Sequence, residues 1–166
     1  MARQSKVIRR SLVAGFIGNY ELRISNGFRV SIPPSFKGRL GTSLVITKGL
    51  EGNLYIFSPK EWEKILKPIM DRSLFNRNVR YMLRYLFSQA FELQIDKLGR
   101  IVLPSQLRAI DGLDLKVGDI LVAAGMYRWI ELWPLKSWQS NMKQVAKKVD
   151  SLSDLIAELE DKTLQE

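Results

Sequence analysis

Two stretches of the chain alternate apolar and polar residues with a period of two. Tyr20, Leu22 and Ile24 are separated by Glu21 and Arg23, and Phe91, Leu93 and Ile95 by Glu92 and Gln94. Such alternation predicts a strand buried on one face. A turn containing glycine follows in each case, then a second short strand (residues 30–32 and 101–103) and a proline, Pro33 or Pro104, that suits the first turn of a helix. Further strands are predicted over residues 43–47 and 53–57, and over 120–123 and 129–133. The pattern then changes to helical spacing, with Trp62, Ile65, Leu66 and Ile69 in one place and Trp138, Met142, Val145 and Val149 in the other. Between these halves, Val79, Met82, Leu83, Leu86 and Phe87 predict a linking helix whose polar side carries Arg77, Arg80 and Arg84. Beyond them, Leu152, Leu155, Ile156 and Leu159 among acids predict a short amphipathic tail helix.

The halves are copies of one another. YELRISNGFRVSIPPSFK, starting at Tyr20, lies over FELQIDKLGRIVLPSQLR, starting at Phe91, with Arg29 to Arg100, Pro33 to Pro104 and Phe36 to Leu107 each 71 positions apart. Farther on, Gly49 meets Gly125 and Trp62 meets Trp138 at an offset of 76, which places five extra residues of the second copy around residues 111–117. The chain thus divides into a basic N-terminal extension (1–15), a first repeat (16–70), a linking helix (71–90), a second repeat (91–149) and an acidic tail (150–166). Strands this short do not make independent sheets, so the expectation is an α+β fold in which the two copies interleave their hairpins into one pseudo-symmetric β-barrel flanked by amphipathic helices.

Charge narrows the functional classes. The chain carries a net +9, and an excess of Lys and Arg attracts polyanions before any specific contact forms. Residues 1–40 hold eight basic groups against Glu21 alone, whereas residues 150–166 hold six acidic groups against Lys162. Opposite ends therefore suit different partners. With neither cysteine nor histidine in 166 residues, there is no disulfide framework, no thiolate nucleophile, no imidazole base and no Cys/His metal site. Neither a cofactor nor a metal is expected. Asp96 and Glu131 could in principle form an acid-base pair, but their spacing indicates no reaction, and the chain is read as a non-enzyme. No apolar run is long enough for a membrane span, and the N-terminal segment makes a poor signal peptide, so a cytoplasmic location is expected.

Gly18-Asn19-Tyr20-Glu21, Asp96-Lys97-Leu98-Gly99-Arg100 with the following Ile101-Val102-Leu103-Pro104, residues 125–133, and the RYLFSQAFELQ linker together resemble the MraZ family of bacterial regulators, related to AbrB and SpoVT. The resemblance runs from about Phe16 to the acidic tail. It implies a swapped-hairpin β-barrel of two AbrB-like halves, assembled into ring-shaped homo-oligomers on the nucleoid. It also implies that these rings repress or tune a division and cell-wall gene cluster by binding tandem promoter repeats in double-stranded DNA. In that family D-x-x-x-R turns face the DNA. Carried over by position, the second copy supplies Asp96 and Arg100, and the first supplies Ser25 and Arg29. The first copy departs from the pattern, since Ser25 replaces the family's Asp and Phe28 its usual Gly.

Several readings stay open at this point. Arg100 and Arg29 can set guanidinium forks against phosphates or guanine edges, or Arg100 can merely tie the hairpin to Asp96. Lys97 and Asn26 suit phosphate contacts or a solvated surface, and Gly99 supplies the positive φ of a tight turn. Ser25 and Asp96 orient the turns. Trp62, Trp133 and Trp138 read as core or subunit-interface residues. The arm with Arg3, Lys6, Arg9 and Arg10 reads as a DNA tether, a solubilising end or a membrane-surface segment. The rival from another class is an antitoxin-like or ring-forming interaction module.

Overall fold

The structure is a computed structural model and describes residues 14–110 and 113–163. The basic arm at residues 3–10 therefore lies outside the described residues, as do residues 111–112 of the inserted loop.

Copy one contributes β1 (Asn19–Arg23), β2 (Arg29–Ser31), α1 (Pro34–Leu40), β3 (Ser43–Lys48), β4 (Leu54–Phe57) and α2 (Pro59–Met70). The linker forms α3 (Arg77–Phe87), and copy two follows with β5 (Phe91–Gln94), β6 (Arg100–Val102), α4 (Ser105–Arg108), β7 (Ile120–Gly125), β8 (Ile130–Pro134) and α5 (Leu135–Thr163). Pro33 and Pro104 sit just ahead of α1 and α4, where a missing N–H costs nothing. Helix α2 begins at Ser58, whose hydroxyl accepts from the Glu61 N–H at 3.3 Å.

Six strands form an antiparallel sheet in the order β1-β7-β8-β4-β3-β5, while β2 and β6 form a separate two-stranded ribbon. Pairing crosses between the copies at every level. Tyr20 on β1 lies opposite Ala123 on β7, Phe91 on β5 lies opposite Ile46 on β3, and Ile56 on β4 meets Ile130 on β8 at the centre. The closed barrel expected from the sequence is not what forms. Among the described residues β1 and β5 do not pair with each other. After Ile24 and Ile95 the chain turns out of each edge strand into β2 or β6, and these two arms pair together instead.

Register also corrects the alignment of the repeats. Ile46 and Ala123 occupy equivalent places, 77 apart, while Ile56 and Leu132 are 76 apart. The second copy therefore has six extra residues before β7 and one fewer in the β7–β8 turn, which together give the net five read from the sequence.

Alternation along the central strands sorts two layers. Leu44, Ile46, Leu54, Ile56, Leu121, Ala123, Ile130 and Leu132 join Ile24, Val30, Phe36, Ile101, Leu103 and Leu107 in a core between the sheet, the ribbon and the short helices. Val45, Phe57, Val122, Ala124 and Trp133 are buried on the opposite face, where α2 and α3 contact β3 and α5 contacts β7 and β8. Aromatic side chains fill that second layer: the Trp62 ring lies 5.5 Å from Phe57 and 6.0 Å from Phe87, and Trp133 lies 6.1 Å from Trp138. Thr47 is buried in the same layer and donates to the Leu86 carbonyl at 3.0 Å.

At its start the described chain is stitched onto the β7–β8 turn. The Phe16 and Tyr127 backbones exchange two hydrogen bonds of 2.8 Å. Gly125 allows this approach, because a Cβ there would stand 2.5 Å from the Phe16 carbonyl carbon.

The acidic tail is not a separate helix. Residues 135–163 form one continuous helix, with no glycine or proline to interrupt it. The change of charge near residue 150 marks no structural boundary.

Candidate nucleic-acid interface

The ribbon is the element that brings the two copies' turns together. Arg29 pairs with Val102, Val30 with Ile101, and Ser31 with Arg100, and the hydrogen bonds continue from Ile32 N–H to the Gly99 carbonyl at 2.8 Å and from Leu103 N–H to the Phe28 carbonyl at 2.9 Å. Directly opposed residues of an antiparallel pair share a face. Val30 and Ile101 are 1% exposed and point into the core. Arg29, Ser31, Arg100 and Val102 consequently share the outward face, with the two arginines as diagonal neighbours across the ribbon.

At the tip of copy two, Asp96 organises the turn. Its Oδ1 accepts from the backbone N–H of Leu98 and of Arg100, each at 2.9 Å, and its Oδ2 accepts from Arg100 Nε at 2.8 Å, with Nη2 at the same distance. The Arg100 backbone N–H, followed by its side chain, holds the carboxyl below the usual carboxylate range. Asp96 engages one side of the guanidinium, and the pair is partly open to solvent, with 35% of the Arg100 side chain exposed. Gly99 has φ 79°, a left-handed conformation that suits glycine, and Gly99 N–H donates to the Asp96 carbonyl at 2.9 Å. Lys97 and Leu98 are exposed at the apex.

The tip of copy one reaches a related shape by other means. The Ser25 hydroxyl donates to the Arg29 carbonyl at 3.0 Å, and Arg29 Nη1 donates to the Asn26 carbonyl at 3.2 Å. Arg29 is exposed and rests on a neutral acceptor. Gly27 and Phe28 both have positive φ, 73° and 53°. For Phe28, the positional equivalent of Gly99, this conformation costs about 1–2 kcal/mol. Its ring is covered by the Arg108 guanidinium, 3.7 Å from the ring centroid, and such stacking is worth about 0.5–2 kcal/mol.

Comparison with known proteins places this architecture. The profile of the family described as "MraZ protein, putative antitoxin-like" matches residues 16–85 and again residues 86–158. The chain belongs to the MraZ family. Proteins named transcriptional regulator MraZ are similar to it over most of their length. The one from Caldicellulosiruptor saccharolyticus is 33% identical over 86% of this chain and 97% of its own. That from Halothermothrix orenii is also 33% identical, over 88% and 97%, and that from Clostridium tetani is 32% identical over 82% and 98%. A solution structure of a Pyrococcus horikoshii protein covers 72% of this chain and 90% of that one at 13% identity, but with a TM-score of 0.31 it adds nothing to the reading.

Within this MraZ-family scaffold, the residues singled out from the sequence fall into two groups at neighbouring tips. Ser25, Asn26 and Arg29 lie on one, and Asp96, Lys97, Gly99 and Arg100 on the other. Four further residues escape sequence reasoning. Ser31 and Val102 complete the outward face of the ribbon, with Val102 50% exposed. Arg108 supports Phe28, and Lys37 stands beside Gly99, where a Cβ added to the glycine would lie 3.4 Å from both Lys37 Cδ and Nζ. One signal was available: Lys37 and Arg108 are themselves separated by the repeat offset of 71, so each copy places a basic residue from its short helix beside the other copy's turn. No helix among the described residues is long and apolar enough to cross a membrane.

Proposed function

We propose that the chain is a sequence-specific, double-stranded-DNA-binding transcriptional regulator whose β2–β6 ribbon presents Arg29 and Arg100 to the duplex. The observation that carries this reading is the common outward face of the two arginines, flanked by Lys97, Asn26 and Lys37. A two-stranded ribbon fits the width of the major groove, where an arginine fork can bond guanine O6 and N7 or a backbone phosphate. Phosphate contacts from Lys97, Lys37 and Asn26 set register, and the ribbon side chains read bases. Asp96 holds Arg100 in position, so less side-chain freedom is lost on binding.

Cross-copy pairing supports an AbrB-like swapped-hairpin architecture, and the names of the relatives support a role in transcription. In the full proposal the chain acts in the cytoplasm on the nucleoid, without a cofactor, as a ring-shaped homo-oligomer that represses a division and cell-wall cluster. Repetition of one ribbon around a ring engages tandem promoter repeats at high effective concentration, which raises avidity without new contacts.

The test is a gel-shift titration, at several salt concentrations, on DNA upstream of the protein's own gene. Arg100→Ala weakens binding by about 10–100-fold, the worth of one bidentate base contact, and Arg29→Ala weakens it less. Wild-type affinity falls steeply with added salt as counterions return to the phosphates. A folded Arg100→Ala protein that binds as tightly as wild type refutes the assignment.

A second reading has one observation in its favour, the antitoxin-like description attached to the family. An interface of that kind, built on apolar surface, responds little to salt, so the same titration separates the two.

A further inference from the structure

The outward face of the ribbon holds its side chains in two opposed pairs, Arg29 with Val102 and Ser31 with Arg100. The repeat offset of 71 exchanges Arg29 with Arg100 and Ser31 with Val102. The face is therefore two-fold in its arginines and not in its other two members. Copy one places a hydroxyl where copy two places a pair of methyl groups.

Nothing in the scaffold calls for valine at residue 102. Its side chain is 50% exposed, while Val30, Ile101 and Leu103 fill the core beneath it and are each 1% exposed or less. Its neighbours on the face are cationic, Arg29 across the ribbon and Arg100 two residues earlier in the same strand. Ser31, exposed at the matching position, shows that the ribbon accepts a polar residue there. An apolar side chain between two guanidinium groups adds nothing to phosphate binding, since it carries no charge and donates no hydrogen bond. In the major groove, however, a base edge does present an apolar group, the 5-methyl of thymine.

Resting on the reading of the ribbon as a major-groove element, we propose that Val102 is a specificity-determining residue that packs on a thymine 5-methyl group. Arg29 and Arg100 address guanine edges or phosphates from both copies, whereas the methyl contact comes from copy two alone. One chain thus reads a site with a direction. Thymine is favoured on the Val102 side, and a polar base edge is accepted on the Ser31 side.

The test removes the methyl and keeps the base pairing. DNA upstream of the protein's own gene is prepared once with thymine and once with uracil throughout, and both forms are titrated with full-length protein at one salt concentration. Wild type binds the uracil form about fourfold more weakly for each methyl contacted, the worth of one buried carbon group. Val102→Ser, which copies the residue of the first half, loses this preference. Because the preference is a ratio measured within one protein, a partly unfolded preparation does not disturb it. Leu98→Ser keeps the preference, as Leu98 is 73% exposed at the apex of the turn and lies outside β6. Equal binding of both forms by wild type, or a preference that survives in Val102→Ser, overturns the proposal, and a defect that persists in Arg100→Ala then shows that the ribbon's role in DNA binding stands without it. A wild type that forms no salt-sensitive complex with either form overturns both.

Discussion

The two hairpin tips have the same task in the fold and different internal chemistry. In copy two a carboxylate does most of the work, since Asp96 binds two backbone N–H groups and the side chain of Arg100. In copy one a hydroxyl and a backbone carbonyl take over, and Arg29 leans on Asn26. The left-handed residue is glycine in one tip and phenylalanine in the other. Duplication therefore conserved the position of each arginine on the ribbon but not the means of holding it. Backbone geometry at the second tip is intrinsic to its own residues, while at the first it depends on a distant one, Arg108.

Substitutions at the two tips separate these two means of support. The largest effect on stability is expected for Gly99→Ala, which forces a Cβ into a left-handed conformation and against Lys37, at a cost of about 1–2 kcal/mol, read from the denaturant midpoint. Arg108→Ala comes next. It leaves the Phe28 conformation without its stacked cation and lowers stability by about 0.5–2 kcal/mol, whereas Lys37→Ala at the equivalent place has little effect, because Gly99 needs no such support. Equal losses from the two would show that the tips do not differ in this way.

A smaller change is expected from Ser25→Asp, which gives copy one the acid it lacks. The Arg29 guanidinium moves from the Asn26 carbonyl to the new carboxylate, seen as slower exchange of its Nε proton in NMR spectra, with a gain below about 1 kcal/mol because the pair is exposed. The smallest effect is on pH dependence. With the Asp96 carboxyl held below its usual range, its contribution is present above the unfolded pKa and is lost as pH falls through the lower, folded one. Amide exchange at Leu98 and Arg100 accelerates only in that acidic window, and the amide of Arg29, bonded to the Ser25 carbonyl at 3.3 Å, shows no matching transition.

Much of this is legible in the sequence because it is local. Period-two alternation marks β1 and β5, and the offset of 71 aligns Arg29 with Arg100 and Ser25 with Asp96. What is not legible depends on partners far along the chain. Nothing in β1 alone indicates that Tyr20 will face Ala123, nor that β2 and β6 will pair and leave the sheet open. The turn at Phe28 reads as a departure from a glycine pattern, and only the packing of Arg108 shows how the conformation is kept. The sign change of charge near residue 150 suggests a separate tail, although helix continuity depends on the backbone and on the lack of breakers.

Strand β1 leaves the ribosome well before its neighbour β7, which is encoded about a hundred residues later: Asn19 faces Ala124. At ordinary rates of translation of about 5–20 residues per second, β1 waits on the order of 5–20 s with an open edge. Its short length and the charges of Glu21 and Arg23 limit adhesion to other nascent chains during that wait. The interleaved sheet thus makes completion of the second copy a condition for the first, so that a truncated chain lacks the strand that would finish β1.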